Sequence, residues 1–170
     1  MLPKRPRLQS FDYLGKYRYF VTFTTHDRAP SFTDPDVVSL TLTQILRSAG
    51  CCQFALLVYC FMPDHVHMLV EGLSANADLR RFAKLAKQYS GFEYSRQHQK
   101  PLWQPSYYDH MLRHDETSLF FIAYIMRNPA KAGLVSTYGE YRFLGSATTT
   151  LDALADELRE SLGPRWETEG

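Results

Sequence analysis

The sequence is poor in cysteine. It has three in 170 residues, and Cys51, Cys52 and Cys60 all fall in one apolar stretch. An odd, clustered set argues against a disulfide framework and for buried thiols in a reducing cytoplasm. No run approaches the roughly 20 apolar residues of a membrane-spanning helix, so no membrane partner is expected. Residues 1–10 are basic and proline-rich and lack an apolar segment, so they do not read as a secretory signal. Net charge is also scarce: 19 Lys and Arg against 18 Asp and Glu leave +1. Taken as a total, that argues against a nucleic-acid partner. No internal repeat or long low-complexity run is present.

What is present fits one soluble domain. Apolar residues make up 45% and charged residues 22%, enough for a real core. The charge is unevenly distributed. Residues 146–170 carry six acids and two bases, a net of −4, which leaves +5 on residues 1–145. Residues 1–20 hold five bases against Asp12, and residues 79–100 hold six against Glu93. Such segments fit a phosphate-binding surface or an ordinary solvated face.

Residues 18–25 (RYFVTFTT) alternate like a strand. Residues 34–47 read as a helix, capped by Asp34 or Asp36, started by Pro35 and stopped by Gly50. Residues 53–61 (QFALLVYCF) form an apolar run of central-strand length. A turn at Met62-Pro63-Asp64 leads into an alternating partner strand, residues 65–71 (HVHMLVE). Residues 77–98 are a second helix, with Arg80, Lys84 and Lys87 along one face. Residues 106–113 are a fourth strand. A third helix, capped by Asp115 or Thr117, runs to Arg127 or Asn128 before Pro129, and residues 151–162 form an acidic amphipathic helix. The class is α+β. The first six elements, β-α-β-β-α-β, have the ferredoxin-like or RRM-like order, an antiparallel sheet with helices on one face.

Alternation along a strand puts His65 and His67 on the same face, where two imidazoles can share an ion. Two partly exposed histidines would give the same pattern. Tyr124 and Asn128 are four residues apart on the third helix and share a face. Asn is a neutral oxygen ligand, and two His plus Asn leave an ion's charge free to polarise a phosphodiester. A phenol ordinarily ionises near pH of about 10, so a tyrosine nucleophile needs metal or base assistance. Tyr124 sits in the apolar run LFFIAYIM, where a core role is the plainer reading.

Met62-Pro63-Asp64-His65-Val66-His67, Leu102-Trp103-Gln104-Pro105, Tyr108-Asp109 and the segment from Tyr124-Ile125 through Asn128-Pro129 to Lys131-Ala132-Gly133-Leu134-Val135 resemble the single-tyrosine HUH transposases of insertion sequences. The closest likeness is to the REP-associated tyrosine transposase branch. The resemblance covers about residues 12–143 and implies a transposase domain over residues 1–145, followed by an acidic tail, residues 146–170, with a short helix. It implies that His65, His67 and Asn128 hold Mg²⁺ or Mn²⁺. It implies that Tyr124 attacks single-stranded DNA beside a hairpin to give a 5′-phosphotyrosine and a free 3′-hydroxyl, which can rejoin strands. Lys4, Arg5, Arg7, Arg80, Lys84, Lys87 and Lys131 are candidate phosphate contacts. Trp103, Tyr107 and Tyr108 could stack on unpaired bases or pack in the core. His110 and His114 lie outside the motif and read as surface residues. The active unit is a monomer or a homodimer.

Two other functions remain compatible with the sequence. One is a non-catalytic nucleic-acid-binding module on the RRM-like scaffold, although no RNP-like aromatic signature is present. The other is a metal phosphodiesterase that uses water, with Tyr124 structural.

Overall fold

The computed structural model describes residues 12–113 and 117–167. Five strands, β1 (Arg18–Thr24), β2 (Phe54–Met62), β3 (His65–Gly72), β4 (Tyr108–Met111) and β5 (Leu144–Gly145), form one antiparallel sheet in the order β4-β1-β3-β2-β5. The inner order β4-β1-β3-β2 is the ferredoxin-like one expected from the element sequence. Strand β5 was not read from the sequence; two residues are too few to show a periodic pattern.

Both faces of the sheet are covered. Helices α1 (Pro35–Cys52) and α2 (Leu79–His98) pack on one face, where Tyr19, Val21, Phe23, Val66 and Met68 meet Ile45 and Phe82. Helices α3 (Ser118–Lys131) and α4 (Leu151–Leu162) pack on the other, where Phe20, Val58, Cys60 and Leu69 meet Phe121, Ile125, Leu154 and Leu158. This is why Tyr19, Phe20 and Val21 are all buried in succession instead of alternating. In β2 the pairing shifts by one residue between Leu56 and Val58. This bulge at Leu57 moves Phe54 and Leu56 to one core and Val58, Cys60 and Met62 to the other.

Several boundaries differ from the sequence reading, each for a local reason. Gly50 does not stop α1, because Ala49 and Cys52 continue the buried stripe; Gln53, at φ 58°, closes the helix. Asp34 is the cap, accepting from the Asp36 amide at 2.9 Å. Strand β4 begins at Tyr108 rather than residue 106, because the carbonyls of residues 104–106 turn toward the Lys87 ammonium at 2.6, 3.1 and 2.9 Å. Helix α3, capped by Thr117, runs through Pro129 to Lys131. Pro129 lies in the last turn, where its missing N–H removes one bond and its ring is buried. Cys52 and Cys60 are buried thiols as expected, but Cys51 is exposed.

Residues 146–167 are not a detached tail. Leu154, Ala155, Leu158 and Trp166 share a core with α3, and Arg127 donates to the Trp166 carbonyl at 2.8 Å. The expected boundary at residue 145 therefore falls inside continuous packing. Among the described residues, no helix is long and apolar enough to cross a membrane.

Candidate active site

The α3 side of the sheet carries the histidine pair. His65 and His67 lie on β3 opposite Thr24 and Thr22 of β1, and opposite Met62 and Cys60 of β2. Their Nε2 atoms are 3.0 Å apart. Each ring is fixed at its other nitrogen. His65 Nδ1 lies 2.6 Å from Asp64 Oδ1, and His67 Nδ1 lies 2.8 Å from Thr22 Oγ1. Asp64 is itself held by Arg28, with Nη1 to Oδ2 at 3.0 Å. Burial would raise the Asp64 pKa, but His65 and Arg28 together hold it below the ordinary carboxylate value.

Helix α3 lies over β2 and β3 on this face. Arg18, at the start of β1, donates to the Ser118 hydroxyl at 2.7 Å. Further on, the Tyr124 ring packs edge-on to Phe20 at 5.7 Å and to His67 at 5.6 Å. Four more residues add about 6 Å of helix, and two strand residues span about as much. The helix thus carries Asn128 from the level of His67 toward that of His65. The Asn128 amide nitrogen is buried without a hydrogen-bond partner; it is a donor, so an ion would have to be met by the amide oxygen instead. The structure thus brings His65, His67 and Tyr124 together within one chain.

The spacing of the two imidazole nitrogens is one that a divalent ion could bridge. Two nitrogens in adjacent positions about 2.1 Å from an octahedral ion are about 3.0 Å apart. Among the described residues, no group of three or more His, Cys, Asp and Glu side chains could hold a metal, so a third protein ligand would come from another residue type, for which Asn128 is the candidate the sequence offered. Cys60 is not available as one. Burial pushes its pKa up, and its thiol points to the Met62 sulfur at 3.7 Å.

Burial, with His65 adding to it, lowers the His67 pKa from the ordinary 6.5 to about 3. Folded protein keeps this imidazole neutral and able to act as a ligand, whereas the unfolded chain protonates near pH 6.5. The stability tied to neutral His67 is therefore complete above pH 6.5 and drains away as the pH falls toward 3. The urea midpoint should drop between pH 7 and pH 5, and His67→Gln should lessen that drop. An unchanged drop in the variant would remove His67 as its source.

The candidate DNA contacts divide differently from the sequence reading. Lys4, Arg5, Arg7 and His114 lie outside the described residues. Arg80 and Lys84 are exposed on α2, which packs on the face of the sheet opposite the histidines, and Arg80 rests over the Tyr13 ring at 4.7 Å. Lys87 does not share their exposure. All three of its ammonium protons are committed to the carbonyls of residues 104–106. Trp103 is 9% exposed. Its indole N–H bonds Ser90 at 2.9 Å, and its ring packs on Phe23 and Phe32. It is a core residue rather than a stacking platform, and Trp103→Ala should cost about 3–5 kcal/mol in urea unfolding. A stable variant impaired only in DNA binding would contradict this.

Tyr107 and Tyr108 are half-buried, edge-on to Phe23 and Phe20. His110 is buried and stacked on Phe121 at 5.5 Å, so it is not a surface residue. Lys131 is exposed, three residues past Asn128. A cleft of about 580 Å³ at the far end of β1, lined by Lys16, Arg18, Glu71, Arg113 and Ser118 among others, with Arg18 paired to Glu71 at 2.9 Å, escaped the sequence reading. Its cations are scattered along the chain and meet only in the fold.

A fold of this kind, with two strand histidines facing a helix tyrosine, defines a class that comparison with known proteins makes specific. The sequence profile described as "Transposase IS200 like" matches residues 14–128, and the chain belongs to that family. It is similar to a Haemophilus influenzae protein named as a REP-associated tyrosine transposase. The two are 26% identical over 137 residues, 74% of this chain and 77% of the relative. Its structure is similar to that of a REP-associated tyrosine transposase bound to a REP hairpin, with TM-score 0.69, 18% identity and 82% of each chain covered. A second similar structure is described as a transposase of Deinococcus radiodurans, with TM-score 0.51, 20% identity, and 65% of this chain and 88% of that one covered. At such identities the structural likeness shows the fold alone. A bacterial tRNA(His) guanylyltransferase-like protein in complex with ATP also shares it, at TM-score 0.50, 11% identity, and 88% and 71% coverage.

Proposed function

We propose that this chain cuts and rejoins single-stranded DNA beside a hairpin, with Tyr124 as the nucleophile. The observation that carries the reading is the Tyr124 ring packed 5.6 Å from the His67 ring of its own chain. The Tyr124 oxygen attacks the phosphorus, a tyrosine–phosphate bond forms, and the bond to the 3′-oxygen breaks. The phenol's proton is lost and the leaving 3′-oxygen gains one. A phosphodiester is exchanged for a phosphodiester, so the 3′-hydroxyl can reverse the step and rejoin strands without an energy source. A Mg²⁺ or Mn²⁺ ion held by His65, His67 and Asn128 would polarise the phosphate oxygens. Neutral His67 and carboxylate-held His65 keep their ring positions fixed for that task. The Tyr124–His67 contact within one chain supports a monomer as the active unit. Hairpin DNA as partner rests on the similar structure solved with one. Lys131, Lys16 and Arg18 are the candidate phosphate contacts on the histidine side of the sheet.

The test is a covalent adduct. Protein, Mn²⁺ and hairpin-flanked single-stranded DNA should yield a denaturation-resistant species of higher mass. Cleavage with no protein-linked DNA would favour water as nucleophile, and binding without cleavage would favour the non-catalytic module.

A further inference from the structure

The end of β1 nearest His65 leads into a turn whose backbone lies where side chains rarely go. Asp27 and Arg28 are consecutive and both have positive φ, 51° and 53°. Neither is glycine, and such residues cost backbone energy that a fold keeps up only where the surroundings impose it. The surroundings here are the β2–β3 turn. The buried Thr25 hydroxyl bridges the carbonyls of Ala29, at 2.8 Å, and Asp64, at 2.9 Å. The Thr25 amide donates to the Asp64 carbonyl at 2.9 Å, and the Phe32 amide to that of Pro63 at 3.0 Å. The clamped turn holds the Arg28 guanidinium against Asp64, Nη1 to Oδ2 at 3.0 Å, while the other Asp64 oxygen meets His65 Nδ1 at 2.6 Å. The Arg28 side chain is nonetheless 72% exposed. An ion pair so exposed adds little stability and does not offset the strain. A guanidinium has five N–H donors, and among the described residues Asp64 is the acceptor that Arg28 meets.

We propose that Arg28 binds a backbone phosphate of the single-stranded DNA next to the one being cut, and so sets the strand's register over His65 and Tyr124. A guanidinium with most of its donors open fits two oxygens of a phosphate at once. Asp64 orients Arg28 without using it up, and the same carboxylate orients His65. One carboxylate and one imidazole ring lie between the guanidinium and His65 Nε2. That separation is too long for the phosphate under attack and suits its neighbour along the strand. The strained, clamped turn keeps a long side chain in one place before DNA arrives, which lowers the ordering cost of binding. This inference rests on the reading of the chain as an enzyme that acts on single-stranded DNA.

The experiment measures binding by fluorescence anisotropy in EDTA, with full-length protein and a labelled DNA hairpin that carries single-stranded arms. Arg28→Gly removes the cation and suits the positive φ, so its Tm should match or exceed that of wild type. Its affinity should fall about 5–20-fold, and its log–log salt slope should flatten by about 0.7, the value for one single-strand phosphate contact. Arg28→Lys should keep the wild-type slope. Methylphosphonates placed one at a time along the arms each remove one phosphate charge. At one of these positions Arg28→Gly should cause no further loss. An unchanged salt slope, or a loss that persists at every methylphosphonate position, overturns the proposal. A lowered Tm that accounts for the lost affinity overturns it too, by making Arg28 a structural part of the turn. Wild type that binds this DNA and forms the covalent adduct, with Arg28→Gly binding equally well, removes the Arg28 role alone. Wild type that binds no hairpin DNA removes the enzyme reading, and the proposal with it.

Discussion

Tyr124→Phe should abolish the covalent DNA adduct and lower strand cleavage by at least about 10³-fold, while hairpin binding stays within a few-fold of wild type. The substitution removes one oxygen and keeps the ring. The edge-on packing on Phe20 and His67 and the neighbouring core of Phe121 and Ile125 are retained. Stability should therefore change by less than about 1 kcal/mol. A loss of cleavage with unchanged melting and unchanged binding isolates the nucleophile. Robust cleavage by this variant would end the tyrosine mechanism and leave the water phosphodiesterase in its place.

The second large effect is expected at the histidines, where the two positions separate chemistry from folding. His65→Ala and His67→Ala should each reduce Mn²⁺-dependent cleavage by about 10² to 10³-fold, since each would remove one of the two proposed imidazole ligands. Their stabilities should differ. The His65 side chain is 21% exposed and can be replaced by water. His67 is 7% exposed, beneath Tyr124 and beside Phe20. Its removal leaves a cavity and strips Thr22 of its partner, at a cost of about 1–3 kcal/mol. Differential scanning calorimetry with the adduct assay reads both. Either variant retaining wild-type cleavage at low millimolar Mn²⁺ would rule that histidine out as a ligand.

The basic segments of the sequence show why charge counts mislead about surfaces. Arg80, Lys84 and Lys87 share helical spacing, yet Lys87 tethers the loop of residues 104–106 and helps set where β4 begins. Burial also lowers its pKa. Lys16, Arg18 and Arg113 were invisible as a group because they come together only across the sheet edge, where Arg18 also pairs with Glu71 at 2.9 Å.

Local pattern determined the parts of this protein that depend on side-chain phase. Strand alternation put His65 and His67 on one face, and helical spacing put Tyr124 and Asn128 on another. The order of strands and helices yielded the ferredoxin-like core. The tertiary structure decided which faces meet. It laid α3 over the histidine side, folded residues 146–167 onto that layer, and used the Leu57 bulge to divide β2 between two cores. It also buried Trp103 and His110. These outcomes depend on contacts between residues far apart in the chain, and periodicity within a segment reports only the direction of each side chain, never what lies opposite it.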